Sequence, residues 1–516
     1  MAKVKNGKRN GSSEGNSSYP LFEMWTTIVA ACSFLCIGLL RAYTSPAIAS
    51  MKQDPMLFNS TSIPPKEIIS WVASSPPLAS FFGTIISGPM LQYLGRQRTL
   101  VLLTIPYIGG WLLIGFASTS ITLIMMGRVL TGLAAGLSTA GAPLYVSECV
   151  RPSVRGTLGF LPAMMLSFGV LLGFSTSTIN VDWRQLALIM TSFPIALLFM
   201  TLTVPESPSW LILKGKEEKG FQNLRKLRGG SKGNVEEVEL EILDMKTALL
   251  MTRRCSRASI NPKTKEVSVL KLMQQRPIYY PATIAVFLMF FQQFTGANAV
   301  IYYLSLILTE TEPQSFKVGN NGNNGTAAAS ALGMDHNLSS VIVGVVQFGA
   351  FFISLPLIDR LGRKILLIFS AVAMSMPLGI LGFYYFCNQE DSSQQCIEVV
   401  ESTWTWLPLT CLSVFIAAYS IGFNSIPFIL MSEIFPSSAR SYLCSLTSFV
   451  NHLCLFILIR VFPIALDEIG AHWTFWIFCA SCLVSILFVW GVVPETKGKS
   501  LAEIERGFVR EAEPLI

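Results

Sequence analysis

The segment Phe290-Phe291-Gln292-Gln293-Phe294-Thr295-Gly296-Ala297-Asn298 lies in an apolar run, residues 279–308, that contains no charged side chain. The run is long enough to cross a bilayer as a helix, in which Gln292 and Gln293 would point about 100° apart and Asn298 would fall near the face of Gln292. Amides in a membrane helix are costly unless they face a partner or a water-filled cavity. Because amides both donate and accept hydrogen bonds, this face suits a neutral, hydroxyl-rich ligand. Alternatively, the amides only hold helices together.

The composition is that of a polytopic membrane protein. The chain has 516 residues, of which 51% are hydrophobic and 13% are charged, and its mean hydropathy is +0.52. A soluble protein carries about 25% charged residues. The net charge of +7 does not indicate a nucleic-acid partner, because the basic residues are concentrated in particular loops.

Twelve apolar runs of spanning length predict an all-α membrane fold in two six-helix halves. The predicted spans are 24–46, 68–92, 99–118, 120–141, 157–179, 186–204, 278–308, 338–358, 365–387, 404–431, 441–463 and 472–493. The predicted organisation is a disordered cytosolic tail (1–23), an N-terminal half (24–205), a cytosolic helical linker domain (206–276), a C-terminal half (277–494) and a cytosolic C-terminal tail (495–516).

The positions of the basic residues predict that both termini are cytosolic. Most of the 38 Lys and Arg residues fall on the same side as the termini, and the predicted outer loops hold only Lys52, Lys66, Arg184 and Lys317. Glycosylation sequons at Asn59, Asn324 and Asn337 also fall in predicted outer loops.

The 11 cysteines show no metal-binding spacing, and we expect neither a metal nor a cofactor. Cys387 and Cys396 flank one polar loop and can form a disulfide if that loop is extracellular.

An internal repeat relates the two halves. The repeated pieces are Tyr93-Leu94-Gly95-Arg96 and Arg360-Leu361-Gly362-Arg363, Glu148 with Arg155 and Glu433 with Arg440, and Pro205-Glu206-Ser207 and Pro494-Glu495-Thr496. Two halves in parallel repeat indicate a transporter whose site lies between them.

Seven motifs in chain order resemble the sugar porter family of the major facilitator superfamily. They are Gly127-Arg128-x-x-x-Gly132, Pro143-x-Tyr145-x-Ser147-Glu148, Arg155-Gly156, 205–211, Gln292-Gln293-x-x-Gly296-x-Asn298, Asp359-Arg360-x-Gly362-Arg363-Lys364 and 494–498. Within the family, 43–47 and 289–294 look most like insect facilitated trehalose and hexose transporters.

The resemblance implies a charge network at the cytosolic ends of the spans that ties the halves together when the inner mouth closes. Its residues would be Arg96, Arg98, Glu148, Arg155, Asp359, Arg363, Glu433 and Arg440. The alternative for some of them is solvated positive-inside anchoring. Arg128 is different, because an arginine in the middle of a span needs a buried partner, and we expect its role to be structural.

The resemblance also implies a set of sugar-binding residues, contributed mostly by the C-terminal half. These are Gln292, Gln293, Asn298, Gln347, Asn424, Phe428 and Asn451. The sequence departs from the family pattern at Ala163, Met289, Phe428 and His452. We expect His452 to be a hydrogen-bonding residue of the bundle interior, and Pro427 alone to bend the tenth span.

Proton coupling needs a titratable group in the path, and the first span has no carboxylate at Ala42-Tyr43-Thr44-Ser45, where proton-linked relatives carry one. The sequence therefore predicts facilitated sugar transport at the plasma membrane rather than an enzyme, with the sugar and the bilayer as partners and no obligate protein partner. The alternatives are a proton-coupled sugar or polyol porter, with His452 the residue that leaves coupling open, and a non-transporting sugar sensor.

Overall fold

The structure, a computed structural model, describes residues 21–52, 54, 57, 65–151, 158–179, 181–229, 238–243, 276–310, 336–388, 406–435, 440–497 and 508. All the regular elements in this part of the chain are helical, and 12 of the helices are long and apolar enough to cross a membrane. The predicted all-α fold is confirmed. Asn59, Arg155, Asn324 and Cys396 lie outside the described residues, as do the side chains of Asn337, Asp359 and Arg440.

The spans begin and end close to the predicted residues. Span 1 is Leu21–Lys52, span 2 Pro65–Tyr93, span 3 Arg96–Leu102 with Thr104–Gly115, span 4 Ile121–Cys149, span 5 Leu161–Thr176, span 6 Trp183–Thr203, span 7 Arg276–Phe294 with Ala297–Glu310, span 8 His336–Leu361, span 9 Arg363–Cys387, span 10 Leu407–Ile421 with Ile426–Ile434, span 11 Arg440–Glu468 and span 12 Ala471–Val492. Two short helices, Pro208–Leu213 and Glu217–Leu227, belong to the predicted linker.

The two halves meet through equivalent pairs of spans. Span 2 packs on span 11, and span 8 packs on span 5, which is the same pairing with the halves exchanged. Span 1 packs on span 7 between them. We call the end of the bundle at Leu21 the near end, and the end at Lys52 the far end.

Within the first half, spans 1 and 5 approach closely at two glycines. A Cβ atom on Gly38 would overlap backbone atoms of Leu166 and Val170, and one on Gly169 would overlap the backbone of Leu35. Small residues bring membrane helices together in this way because association in lipid depends on close packing. The position of span 1 against the centre of the bundle is therefore fixed.

Spans 7 and 10 are each interrupted near the middle. Span 7 breaks between Phe294 and Ala297, where Gly296 has a φ of +88°. Span 10 breaks between Ile421 and Ile426, beginning at Gly422. The expectation that Pro427 alone bends span 10 is therefore wrong, because the break precedes Pro427, which lies in the first turn of the second segment. Interrupted spans leave backbone carbonyls available to side chains.

The linker helices pack through a small apolar cluster of their own, which includes Leu224 and Val238. Arg228 connects this cluster to the near end, since it forms an ion pair with Glu241 at 2.6 Å and lies 3.5 Å from Glu23 of span 1. Burial lowers the pKa of Arg228, but the hydrogen bonds and negative charge of Glu241 and the charge of Glu23 outweigh it, and the net pKa is raised.

Candidate functional site

Two amide side chains, from spans 7 and 11, meet the backbone of span 10 at its break. Asn451 Nδ2 donates to Gln292 Oε1 at 2.7 Å. Gln292 Nε2 in turn donates to the backbone carbonyls of Phe423 and Asn424, at 2.9 and 3.2 Å. Gln292 therefore satisfies two backbone carbonyls that the break in span 10 leaves without helical partners. Gln292, Asn424 and Asn451 form one buried group.

A second pair of amides spans the break in span 7. Asn298 Nδ2 donates to Gln293 Oε1 at 2.7 Å. The expectation that Asn298 lies near the face of Gln292 is wrong in this detail, because the left-handed backbone at Gly296 rotates the second segment away from a continuous helix. Asn298 also accepts a hydrogen bond of 2.9 Å from Arg41 Nη1 of span 1. This bond crosses from one half of the bundle to the other.

The remaining predicted binding residues, Gln347 and Phe428, have other described contacts. Gln347 Nε2 donates to Ser167 Oγ of span 5 at 3.3 Å, so it belongs to the interface between spans 5 and 8. Its Oε1 is buried without a hydrogen-bond partner in the described part of the chain, and the same holds for Asn424 Nδ2. Phe428 is half-buried and packs against the core of the bundle.

Arg128 is fully buried, and its partners are neutral. Its Nε donates to the carbonyl of Val72 at 2.9 Å, its Nη2 donates to the Thr44 hydroxyl at 2.5 Å, and its guanidinium lies 5.5 Å from the centre of the Tyr43 ring. The expectation of a buried partner is confirmed. Thr44 occupies the stretch in which proton-linked porters were expected to carry a carboxylate, so a hydroxyl bonds to the arginine here.

Two of the positions at which the sequence departs from the family pattern also lie at the centre. His452 is buried, and its Nδ1 donates to the backbone carbonyl of Ser448 at 2.8 Å, which agrees with its expected role as an interior hydrogen-bonding residue. Met289 contributes its sulfur as a weak acceptor, 3.4 Å from Asn451 Nδ2. Met289 thus contacts an amide of the site, whereas the described hydrogen bond of His452 stays within span 11.

At the near end, none of the charge pairs in the described part of the chain joins one half to the other. Arg96 donates to Glu148 at 2.7 Å, and Arg363 donates to Glu433 at 3.1 Å. The hydroxyls of Ser207 and Thr496 donate to the same two glutamates. These pairs link spans 3 and 4 in the first half and spans 9 and 10 in the second, as the internal repeat predicts.

At the far end, several of the described contacts cross between the halves. Ser305 and Ser45 exchange hydrogen bonds of 2.8–2.9 Å between spans 7 and 1. Lys66 lies 3.0 Å from Asp467, and Arg460 lies 3.5 Å from Glu67 and over the ring of Trp71, joining spans 2 and 11. The far end is therefore the closed end of the central site.

Sequence reasoning missed several side chains that form hydrogen bonds between the halves. They are Arg41, Ser45, Ser167 and Ser305. Serines in apolar spans give no distinctive signal. Arg41 does, because a charged residue more than ten positions from either end of a span is costly and often functional.

Comparison with known proteins agrees with this architecture. The family model described as "Sugar (and other) transporter" matches residues 25–508. The "Facilitated trehalose transporter Tret1-2 homolog" of Drosophila simulans is 36% identical over 479 residues, which cover 93% of this chain and 89% of that protein. The "Facilitated trehalose transporter Tret1" of Drosophila willistoni is 37% identical over 487 residues, but this chain spans only 51% of its length. The chain likewise spans about half the length of the trehalose transporters Tret1 of Drosophila yakuba and Drosophila mojavensis.

Solved structures match the fold over nearly the whole chain. The proton:xylose symporter XylE bound to 6-bromo-6-deoxy-D-glucose superposes with a TM-score of 0.73 and 21% identity, covering 95% of this chain and 100% of that chain. The inward-open conformation of XylE from E. coli gives a TM-score of 0.71 at 20% identity, covering 94% of this chain and 99% of that chain. The chain therefore belongs to the sugar transporter family and has the fold of the major facilitator superfamily.

Proposed function

We propose that this protein is a uniporter that moves a sugar, trehalose or a hexose, down its gradient by alternating access. The observation that carries the proposal is the set of buried amides of the C-terminal half at the breaks in spans 7 and 10. One of them, Asn298, accepts a hydrogen bond from Arg41 of the other half. Membership of the family supports sugar transport, and the names of the insect relatives favour trehalose.

The amides are suited to a hydroxyl-rich ligand by their hydrogen-bonding capacity. In the structure Gln292 pairs with Asn451, and Gln293 pairs with Asn298. A sugar hydroxyl is both a donor and an acceptor, so it can replace either amide in such a pair without leaving a buried group unsatisfied. We propose Gln292, Gln293, Asn298, Gln347, Asn424 and Asn451 as polar contacts, and Phe428 as the surface that stacks on a sugar ring.

The distribution of contacts between the ends supports alternating access. Opening the far end requires Ser45 to separate from Ser305, and span 2 to separate from span 11. The near-end pairs within each half keep spans 3 and 4, and spans 9 and 10, together as rigid units. In the opposite state we propose that the near-end charges, with Arg155, Asp359 and Arg440, tie the halves together. The far end and the near end are then closed in turn.

Among the described residues, span 1 presents a hydroxyl rather than a titratable acid to Arg128, which favours transport without proton coupling. The partner of Arg128 in span 1 is the Thr44 hydroxyl, which carries no exchangeable charge at physiological pH. We propose that the near end is cytosolic and that the protein lies in the plasma membrane, with glycans on Asn59, Asn324 and Asn337 at the far side.

The test is uptake of labelled trehalose and labelled glucose into transport-null cells, at two external pH values and with or without an uncoupler. Saturable uptake that is indifferent to pH and to the uncoupler is expected. Uptake that collapses with the uncoupler would instead establish a proton-coupled porter. Surface-expressed protein that takes up neither sugar would overturn the proposal and favour a sensor or another solute.

A further inference from the structure

Arg41 is a charged side chain placed deep in the membrane-spanning bundle. It lies in span 1, more than ten residues from Leu21 and from Lys52, which puts it about 16 Å along the helix from the nearer end. Unpaired charge at this depth is unfavourable, and an arginine kept there is expected to serve a ligand or a pathway.

The charge of Arg41 is not neutralised within the described residues. Its described hydrogen bond is to the neutral Asn298, and no described carboxylate forms an ion pair with it. The sequence explains why, because every acidic residue within the spans lies near a helix end. These are Glu23, Glu67, Glu148, Glu310, Asp359, Glu433, Asp467 and Glu468.

The neighbours of Arg41 do not supply the missing negative charge. Tyr107, Tyr302, Tyr419 and His452 lie within electrostatic range of the guanidinium, and each is neutral or cationic in its ordinary forms near neutral pH. The centre of the site therefore has a positive potential that amides and hydroxyls alone do not offset.

Arg128 and Arg41 differ in burial, and this difference distinguishes a structural arginine from one that is available to a ligand. Arg128 is fully buried: its Nε and Nη2 donate to Val72 and Thr44, its guanidinium lies over Tyr43, and its Nη1 is enclosed without a hydrogen-bond partner among the described residues. Arg41 is only partly buried and gives one described hydrogen bond, although a guanidinium has five N–H donors. Arg41 thus keeps donors that face accessible space beside a proposed sugar contact.

We propose that the site takes a sugar acid, a polyhydroxylated solute with one carboxylate, and that Arg41 binds the carboxylate while the amides bind the hydroxyls. The planar guanidinium matches the two carboxylate oxygens in a bidentate pair. A phosphate ester carries a charge of about −1.5 to −2, more than one available guanidinium balances. This inference rests on the proposed function, because it assigns the amides the same role.

The test uses the full-length protein in proteoliposomes and compares glucuronate with glucuronamide, its uncharged analogue, as competitors of labelled glucose uptake. We expect glucuronate to compete about tenfold or more better than glucuronamide, as a charge-assisted hydrogen-bonded pair contributes. Uniport of glucuronate also moves one negative charge, so its uptake should respond to an imposed membrane potential, whereas glucose uptake should not. Equal competition by the two compounds would overturn the proposal.

The variants Arg41→Gln and Arg41→Lys test the assigned residue. We expect Arg41→Gln to abolish the preference for glucuronate over glucuronamide and to lower glucuronate uptake about tenfold more than glucose uptake, and Arg41→Lys to restore part of the preference. Lys219→Gln, which removes an exposed positive charge from the linker, should change neither. If Arg41→Gln impairs glucose and glucuronate equally, Arg41 has only a structural role and the proposal fails.

The two proposals fail differently. Glucose uptake without a charge preference leaves the proposed sugar uniport intact and rejects the sugar acid. Uptake of labelled glucuronate without uptake of glucose or trehalose supports the sugar acid and rejects the neutral sugars. Protein that is folded but takes up none of these solutes rejects both.

Discussion

Glu206 and Glu495 occupy equivalent positions in the two halves and make the same contacts. Glu206 accepts hydrogen bonds from the backbone N–H groups of Arg96 and Gln97, at 2.7 and 3.1 Å. Glu495 accepts from those of Arg363 and Lys364, at 3.1 and 3.0 Å. Each carboxylate thereby caps the first N–H groups of a helix that begins a span, where negative charge is favourable.

The carboxylate of Glu495 should make the stability of the near end depend on pH. Burial raises the pKa of Glu495, but hydrogen bonds from the backbone N–H groups of Lys497, Arg363, Lys364 and Thr496 outweigh it and lower the pKa overall. A lowered folded-state pKa contributes stability above the unfolded value of about 4.3, and this contribution is lost as the pH falls through the folded pKa. We expect Glu495→Gln to lower the melting temperature in detergent by about 1–2 °C at pH 7.

The difference between the unmodified protein and Glu495→Gln should shrink as the pH falls below about 4. Glu218→Gln, which alters an exposed glutamate of the linker, is the matched control and should have no effect at either pH. A melting-temperature difference that is the same at pH 7 and in acid would contradict the proposed role of the carboxylate.

Gly362 should not tolerate a side chain, for two independent reasons. Its φ is +92°, and a Cβ atom would lie 2.7 Å from Glu495 Oε2. With a ψ of 166° this is an extended positive-φ conformation that costs a residue with a Cβ atom about 1–3 kcal/mol. We expect Gly362→Ala to reduce the yield of monodisperse protein sharply, as measured by size-exclusion chromatography.

Gly349 provides the matched control, because it lies in the neighbouring span 8 and a Cβ atom there meets nothing within 4 Å. Gly349→Ala should leave the yield unchanged or raise it, since alanine favours a helix over glycine by about 1 kcal/mol. Equal yields of the two variants would show that the contact between Gly362 and Glu495 is not required for folding.

The positions of the spans could be predicted from the sequence because hydropathy is a local property. The runs 186–204 and 278–308 agree with helices at Trp183–Thr203 and within Arg276–Glu310. The repeat was also visible, because the near-end motifs combine charge, glycine and proline at fixed spacing. Each of these signals, the hydropathy of a run and the composition of a motif, is contained in a few dozen consecutive residues.

The local geometry of the site could not be predicted in the same way. The break in span 7 depends on the backbone conformation of Gly296, and a Thr-Gly pair in an apolar run does not by itself specify a break. The bond between Arg41 and Asn298 joins residues 257 positions apart. No periodicity or spacing in the sequence predicts such a contact, because it forms only when the two halves pack together.

Replacing the central amides should abolish transport without removing the protein from the membrane. We expect Gln292→Ala and Asn298→Ala to lower sugar uptake by about tenfold or more, since each loses at least two hydrogen bonds worth about 1 kcal/mol each. Labelled uptake is measured together with surface biotinylation in the same cells.

Gln222→Ala is the control for removing an amide, because Gln222 is exposed on the linker helix, and it should transport normally. Gln292→Ala also frees two backbone carbonyls at the break in span 10, so its melting temperature is measured separately from its uptake. Normal uptake in both Gln292→Ala and Asn298→Ala would remove these residues from the site.

Covalent closure of the far end should arrest alternating access. The hydroxyls of Ser45 and Ser305 lie 2.9 Å apart on opposite halves, and the proposed cycle requires them to separate. We expect the double variant Ser45→Cys/Ser305→Cys to lose uptake after mild oxidation and to regain it with a reducing agent. The pair Ser50→Cys/Asp182→Cys is the control, because Ser50 and Asp182 are 3.0 Å apart within one half at the same end, where a crosslink does not oppose the motion. If the oxidised Ser45→Cys/Ser305→Cys protein is crosslinked and still transports, the halves do not part at this contact, and the far end is not the gate.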